Sequence, residues 1–425
     1  MLKFICMSKS IKQIYVSLEL CENDLKILVA EYYNTRFNIL KVDRLATNSI
    51  SDFKIVDRQM LINDIKRLVN KCSEKLGAKI EQVILVLPAY NFKRFPLKSK
   101  VVPDNGVITK KDIARSITNS LKAKVDFDVM VINPMIVKYT INGISTRRMP
   151  EKEVCNEVVV DIDLLCADKD MTYEYVSVVE ESGIKVLDIT LNTYAICKEA
   201  SLIEESLKQN LICLDINKPY SYLTLLSKGK LISTELEFDG LNTIADEVKR
   251  NYDIPESDII RLMKYDVNYD AEYLDDIVYA YNQSSDTITI TTRNINDVCL
   301  KPIDNLVDKL ITMCKPIIEQ GASLFITGEG QQMTALVDKI KQNVSIDVRS
   351  YYPDTIGTRD SSLTALYGAL FVYRDKVLLN DLNVSCIDLL EYDSKIDRKE
   401  FDTEGETITT KIKNLFKQYV EREDE

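Results

Sequence analysis

"KQIYVSLELCENDLKILVAEYYNTRFNILKVDR", residues 12–44, contains three short runs rich in β-branched and aromatic residues: 12–20, 25–33 and 36–44. Turn-forming residues separate them, so the stretch reads as three successive strands. A helix is expected next, at about 57–76, "DRQMLINDIKRLVNKCSEKL". Met60, Leu61, Ile65, Leu68, Val69 and Cys72 share one face of it at helical spacing. The helix leads into an apolar strand, "QVILVLP" (82–88). The local order is therefore strand, strand, strand, helix, strand.

The same order returns much later. "LICLDI" (211–216), "YSYLTLLS" (220–227) and "KLISTELE" (230–237) precede a helix from about 240 and a further apolar strand, "SLFITG" (323–328). Two halves of one pattern predict an α/β architecture of two similar lobes with a cleft between them. Between the halves, residues 89–168 carry a basic stretch, "NFKRFPLKSKVV", a helix from near Thr109 and the strands "DFDVMVINP" and "EVVVDIDLL". This block reads as an inserted α+β subdomain. Asp161 and Asp163 within it are expected to face solvent or cap a strand end, with no catalytic part. A return to the first lobe follows, with a helix at 171–183, a strand "IKVLDI" and a helix "TYAICKEASLIEESL".

Composition excludes several chemistries. The 425 residues contain no histidine, which removes Ser-His-Asp and Cys-His nucleophilic catalysis and every histidine-ligated metal site. Ten cysteines are scattered singly, without the close spacing of a metal site or a disulfide framework, so reduced buried thiols and no structural metal are expected. A formal net charge of −11 argues against nucleic acid as the main partner. Only 12 glycines leave few places for a backbone to wrap a phosphate. No apolar run approaches the ~18–20 residues of a bilayer span, and "MLKFICMSKS" lacks the apolar core of a secretory signal. A cytoplasmic body is the expectation.

The acidic chain nevertheless carries a lysine-rich amphipathic segment, "TITTKIKNLFKQYV" (407–420). As a helix it places Ile408, Ile412, Leu415, Phe416, Tyr419 and Val420 on one face, with Lys411, Lys413 and Lys417 on the flanks and back. The preceding residues 377–406 are acidic and aperiodic and read as a flexible linker. Lysines beside an apolar stripe suit an anionic membrane surface, each contributing about 1 kcal/mol. The following "EREDE" opposes that attraction, so attachment by a single copy should be weak and attachment by an assembly strong. Self-packing on the body and presentation to a protein groove are the alternatives for this segment.

Lobes, insertion and tail together resemble the bacterial cell-division actin homologue FtsA. The best local match is "VINPMIVKYTINGISTRRMPEKEV" with "VVVDIDLL" and "VVEESGIKVLDITLNTYAICKEA", in which Tyr139, Asn142, Gly143, Pro150 and Gly183 stand where the family pattern wants them. The resemblance implies an actin-like fold with an ATP site, and there this chain departs from the family. The first phosphate hairpin, "GLDIGTSK" in FtsA, is "SLELCEND" (17–24): Glu19 takes the aspartate position, Cys21 replaces glycine and Glu22 a hydroxyl residue. A carboxylate facing a triphosphate repels it. The second hairpin is "DINKPYS" (215–221); Asp215 remains and Lys218 is able to meet a phosphate, but Pro219 removes a donor and fixes φ. The adenosine turn survives as "ITGEGQQMTAL" (326–336) with Gly328 and Gly330, and "SDIIR" offers Asp258 and Arg261 as equivalents of the base and ribose contacts. Losing charge-assisted hydrogen bonds of about 1.5–3 kcal/mol each predicts that ATP, the family's cofactor, binds weakly or not at all. No catalytic residue is assigned.

By resemblance the domains divide as 1–88 and 169–208 for the first lobe with a returning helix at 361–376, 89–168 for the insertion, and 209–360 for the second lobe. About 240–305 would form the second lobe's smaller subdomain, with 377–406 the linker and 407–425 the membrane-targeting helix. The implied function is a scaffold that tethers FtsZ polymers to the inner face of the cell membrane at the division site. It would bind the FtsZ C-terminal peptide on its second lobe and self-associate into actin-like filaments. Two readings remain beside it: a PilM-like component of a pilus or secretion machine, which shares fold and insertion, and an active actin-fold ATPase.

Overall fold

The three leading strands form as Gln13–Leu20, Asp24–Tyr33 and Arg36–Ala46 in a computed structural model that describes residues 12–283, 286–382 and 384–394. They pair antiparallel in sequence order, with Leu20 opposite Leu25 and Tyr33 opposite Arg36 across tight turns. The expected helix is Arg58–Leu76, started by the Asp57 side chain accepting from the Met60 N–H. It delivers Gln82–Leu87 parallel to the first strand, and Lys185–Leu191 adds beyond it. The inner strands are almost continuously apolar because helices cover both faces of the sheet.

The second half repeats this connectivity. Lys230–Glu237, Ser221–Ser227, Leu211–Ile216, Ser323–Thr327 and Val348–Ser350 lie side by side in that order, three antiparallel strands continued by two parallel ones. The first sheet has the same plan, so the duplication resides in topology. Between the second sheet's hairpin and its parallel strands stand the helices Asn242–Asn251 and Glu256–Tyr265. A two-stranded ribbon, Ile277–Gln283 with Asp286–Thr291, and the long helix Thr292–Ile318 follow.

The inserted residues build a separate antiparallel sheet, ordered Lys93–Val101, Val158–Asp168, Val129–Ile141, Ile144–Thr146, with the helix Lys110–Ser120 packed on it. Val101, Ile113, Tyr139, Val160 and Leu164 belong to its own core. Asn142 and Gly143 close its last hairpin with φ of 48° and 79°, the left-handed pair that such two-residue turns require. Asp163 does not face solvent as expected. It is 1% exposed and ion-paired with Arg94 at 2.9 Å from the adjoining strand, while Asp161 meets Lys138 at 3.5 Å. Alternation puts Asp163 on the face opposite Ile162 and Leu164, beside Leu165, and that face packs on the first lobe's core, where a buried carboxylate needs a cation.

The returning helix is Thr364–Asn380, buried along most of its length against the first sheet and the helix Asn192–Glu199. The linker expectation for 377–406 is corrected over its first part. Val377 is still helical, Cys386 N–H donates to Ile14 O at 2.7 Å, and Ile387 bridges Ile80. Cys386, Ile387 and Tyr392 are buried, because apolar residues spaced without period still dock as a strap, strand-paired at Ile387 and helical over 389–394. The segments 395–406 and 407–425 lie outside the described residues, and with them every assigned membrane-binding residue. Among the described residues no helix is long and apolar enough to cross a membrane.

Gly368 sets the separation of the two helices, since a Cβ there would stand 2.1 Å from the Ala195 carbonyl oxygen. Gly368→Ala is expected to cost about 1–3 kcal/mol by forcing them apart, read as a lower urea midpoint at unchanged slope.

Candidate functional site

Both lobes point the turn of their first hairpin into the shared cleft. The first turn closes through Cys21 N–H to Asp24 O at 2.9 Å, the second through Asn217 N–H to Tyr220 O at 3.0 Å. The turns then touch each other. Tyr220 hydroxyl donates to the Glu22 carboxylate, and Asn242 Nδ2 donates to Asn23 Oδ1 at 3.1 Å. Phe53 of the first lobe is sandwiched between Tyr90, at 4.6 Å, and Tyr220, at 4.4 Å, with interplanar angles of 19° and 24°. Three stacked rings and a charged hydrogen bond thus join the lobes. The free space left between the hairpins is about 60 Å³, room for a few waters.

Charge fills the centre of the cleft. Lys26, 4% exposed, puts its Nζ 3.7 Å from Glu19, 3.9 Å from Asp24 and 3.9 Å from Glu329 of the other lobe. Arg44 reaches Asp360 at 2.8 Å and Glu329 at 3.8 Å and also bonds the Ser362 hydroxyl. Burial works against the Lys26 charge, but the surrounding Cys21, Asp24, Glu19 and Glu329 outweigh it and hold the ammonium well above its ordinary pKa. Carboxylates outnumber cations here, and the excess shows as retained protons. Burial, reinforced by Glu19, pushes Asp215 up to about 7. Burial also raises Glu19, against the pull of Lys26.

The residues predicted to hold a nucleotide divide by place. Glu19, Asp215 and Lys218 line the cleft, with Lys218 3.6 Å from Glu256. Gly328 and Gly330 lie against the strand Leu211–Ile216. A Cβ on Gly328, at φ 79°, would stand 2.4 Å from Asp215 Oδ1, and one on Gly330 would stand 2.7 Å from the Ile216 side chain. Chain packing requires both glycines. Asp258 and Arg261 do not line this cleft: Asp258 accepts from the Tyr279 hydroxyl at 2.8 Å, and Arg261 holds Asp266 at 3.1 Å and the Val278 carbonyl at 3.2 Å. They tie their helix to the two-stranded ribbon.

Sequence reading missed Lys26, Arg44 and the Tyr220–Glu22 bond. Lys26 had a usable signal, since a cation inside the strand run "LKILVA" has to find carboxylates once the strand is central. Tyr220 had none, because its partner is almost two hundred residues away. Among the described residues all nine cysteines are unpaired, eight of them buried and Cys21 half-buried, and no group of acidic and sulfur side chains is placed to hold a metal.

No model of a known protein family matches the chain. It is 20% identical to the cell division protein FtsA of Enterococcus hirae over 95% of this chain and 98% of that protein. The fold is similar to that of the PilM-PilN type IV pilus biogenesis complex, with a TM-score of 0.57 at 11% identity, covering 84% of this chain and 98% of that one. It is also similar to the ethanolamine utilization protein EutJ from Carboxydothermus hydrogenoformans, with a TM-score of 0.50 at 13% identity, covering 84% and 89%. The fold is actin-like.

Lys26→Met should cost about 3–5 kcal/mol in urea unfolding, because it strands buried carboxylates, and adding Glu19→Gln should recover part of the loss. Asp215 ionises near 3.9 when unfolded and near 7 when folded. Between those values the unfolded chain gives up a proton that the folded chain keeps, so this group's contribution to stability falls as pH rises from about 4 to about 7. Asp215→Asn removes that loss. The variant should gain on the parent by about 2–4 kcal/mol between pH 4 and pH 8, measured by urea unfolding at each pH.

Proposed function

We propose that the chain is an FtsA-like division scaffold whose two lobes are held closed by its own side chains in place of a nucleotide. The observation that carries this reading is the filled cleft. Where an actin-fold ATPase receives phosphates, Lys26 and its carboxylates occupy the space, and Tyr220 bonded to Glu22 bridges the hairpins. ATP entering this space would meet an excess of negative charge and have to break both connections. Sequence similarity to FtsA along nearly the whole chain supports a role in cell division, and the actin-like fold supports self-association into filaments.

On this reading the second lobe receives the C-terminal peptide of FtsZ. The segment 407–425 attaches the assembly to the cytoplasmic face of the membrane at the division site. A scaffold of this kind needs rigid lobes and many copies; it has no need of rapid hydrolysis. Because each tail carries lysines followed by "EREDE", the attachment is collective.

The test is co-sedimentation of the full chain with FtsZ filaments and anionic vesicles, with and without Mg-ATP. Recruitment of the vesicles to the filaments is expected to be equal in both conditions and at least tenfold lower for Phe416→Glu. A requirement for Mg-ATP would overturn the filled-cleft reading. No binding to FtsZ would overturn the partner and favour a pilus or secretion role. Vesicle recruitment unchanged by Phe416→Glu would overturn the tether.

A further inference from the structure

A cavity larger than the cleft's lies elsewhere among the described residues. A groove of about 800 Å³ runs between the inserted sheet and the first lobe. Its walls are the edge of the strand Val129–Ile141, the loop 147–149, the helix Asn192–Glu199 with the turn after it, and the last turns of the helix Thr364–Asn380. Met135, Val137, Met149, Tyr194 and Val372 give it an apolar floor, and Leu207 and Leu378 stand about half exposed at its mouth. Its size is that of a site for several anchoring side chains.

The groove's rim is basic, with Lys110, Arg147, Arg148, Lys198 and Lys376 against Glu204 and Asp375. Three of these cations have their own carboxylates: Lys110 pairs with Asp381, Lys198 with Asp375 and Lys376 with Asp188. Arg147 donates only to the carbonyls of Lys228 and Gly229, so its charge is not neutralised. Arg148 is exposed, and its side chain has no partner among the described residues. Two adjacent guanidinium groups without a carboxylate, beside an apolar floor, call for an occupant that is apolar along one face and acidic at one end.

The chain contains such a segment. In 407–425 an apolar face of Ile408, Ile412, Leu415, Phe416, Tyr419 and Val420 runs directly into Glu421, Glu423, Asp424 and Glu425. The helix whose last turns form one wall of the groove, through Leu378 and Leu379, is also the element from which the chain continues towards Ser394. Residues 395–406 then span up to about 40 Å when extended, and a tether of that kind keeps the segment at roughly millimolar local concentration.

We propose that this groove is an internal dock for the chain's own segment 407–425, its apolar face on the floor and its acidic end on Arg147 and Arg148. The docked segment is withheld from any external surface, and release requires a competitor for its apolar face. The acidic run, which hinders contact with an anionic surface, gains a purpose as the locking half of the segment. The dock rests on the amphipathic pattern of 407–420 and on the groove, independently of what the released segment binds.

The full chain with p-benzoylphenylalanine in place of Phe416 tests this by irradiation in dilute solution without lipid, followed by mass spectrometry. Links to Met135 or Met149 are expected, since benzophenone favours methionine C–H bonds. Their yield should fall about fivefold in Arg148→Glu, which disturbs no internal partner. Mixing isotopically light and heavy chains should give links within one chain. Links confined to other surfaces, links only between chains, or a yield unchanged by Arg148→Glu would each overturn the dock. Adding anionic vesicles should lower the yield if the segment is the membrane tether. A tether that fails while the dock stands leaves the links in place under lipid.

Discussion

An ammonium group with almost no access to water has to be surrounded by negative charge, and Lys26 meets that demand by drawing on both halves of the molecule. Glu19 and Asp24 come from its own hairpin, but Glu329 comes from the opposite lobe. The relative position of the lobes is thereby tied to the solvation of one buried charge. Arg44 extends the tie to Asp360, just before the helix that returns to the first lobe, so sheet, turn and helix meet in one electrostatic cluster. The ring stack of Tyr90, Phe53 and Tyr220 adds an apolar contact across the same cleft. Polar contacts of this kind, held at low dielectric, specify a single arrangement better than apolar contacts do.

The fold was legible in residues 12–88 and 211–328 because local patterns suffice there. Strand runs broken by turn residues, a helical face and a buried parallel strand each announce themselves within ten to twenty residues. The duplication was legible for the same reason, although it survives in strand order and not in residue identity. The strap at 384–394 was not legible. Its buried residues, Cys386, Ile387 and Tyr392, follow neither a period of two nor one of 3.6, and they are buried because another part of the chain offers them a surface. Asp163 failed similarly: alternation placed it on the face opposite the insertion's core, but that face is an interior because the first lobe packs on it, and Arg94 neutralises the carboxylate there.

The cleft was legible as a departure and not as an arrangement. By resemblance, Cys21, Glu22 and Pro219 depart from the residues expected of a phosphate cradle, each at the cost of a donor, a left-handed turn or a neutral approach. The arrangement in the cleft depends on pairs such as Tyr220 with Glu22 and Lys26 with Glu329, which no local pattern relates. Gly328 and Gly330 teach a related lesson. They match a nucleotide-binding turn by residue type, yet the space they make is taken by Asp215 and Ile216. A glycine reports close approach without saying what approaches.

The side chains in the cleft are covalently part of the molecule. A bound ligand comes and goes with its supply, and the shape of a protein that depends on it follows the metabolic state of the cell. A closure made of Lys26, Glu329, Tyr220 and Glu22 has no such dependence, since its components are present at fixed stoichiometry from the moment the chain folds. On the proposed reading it does not age, as a hydrolysed nucleotide does. On that same reading, the timing of an assembly of such copies comes from what they hold.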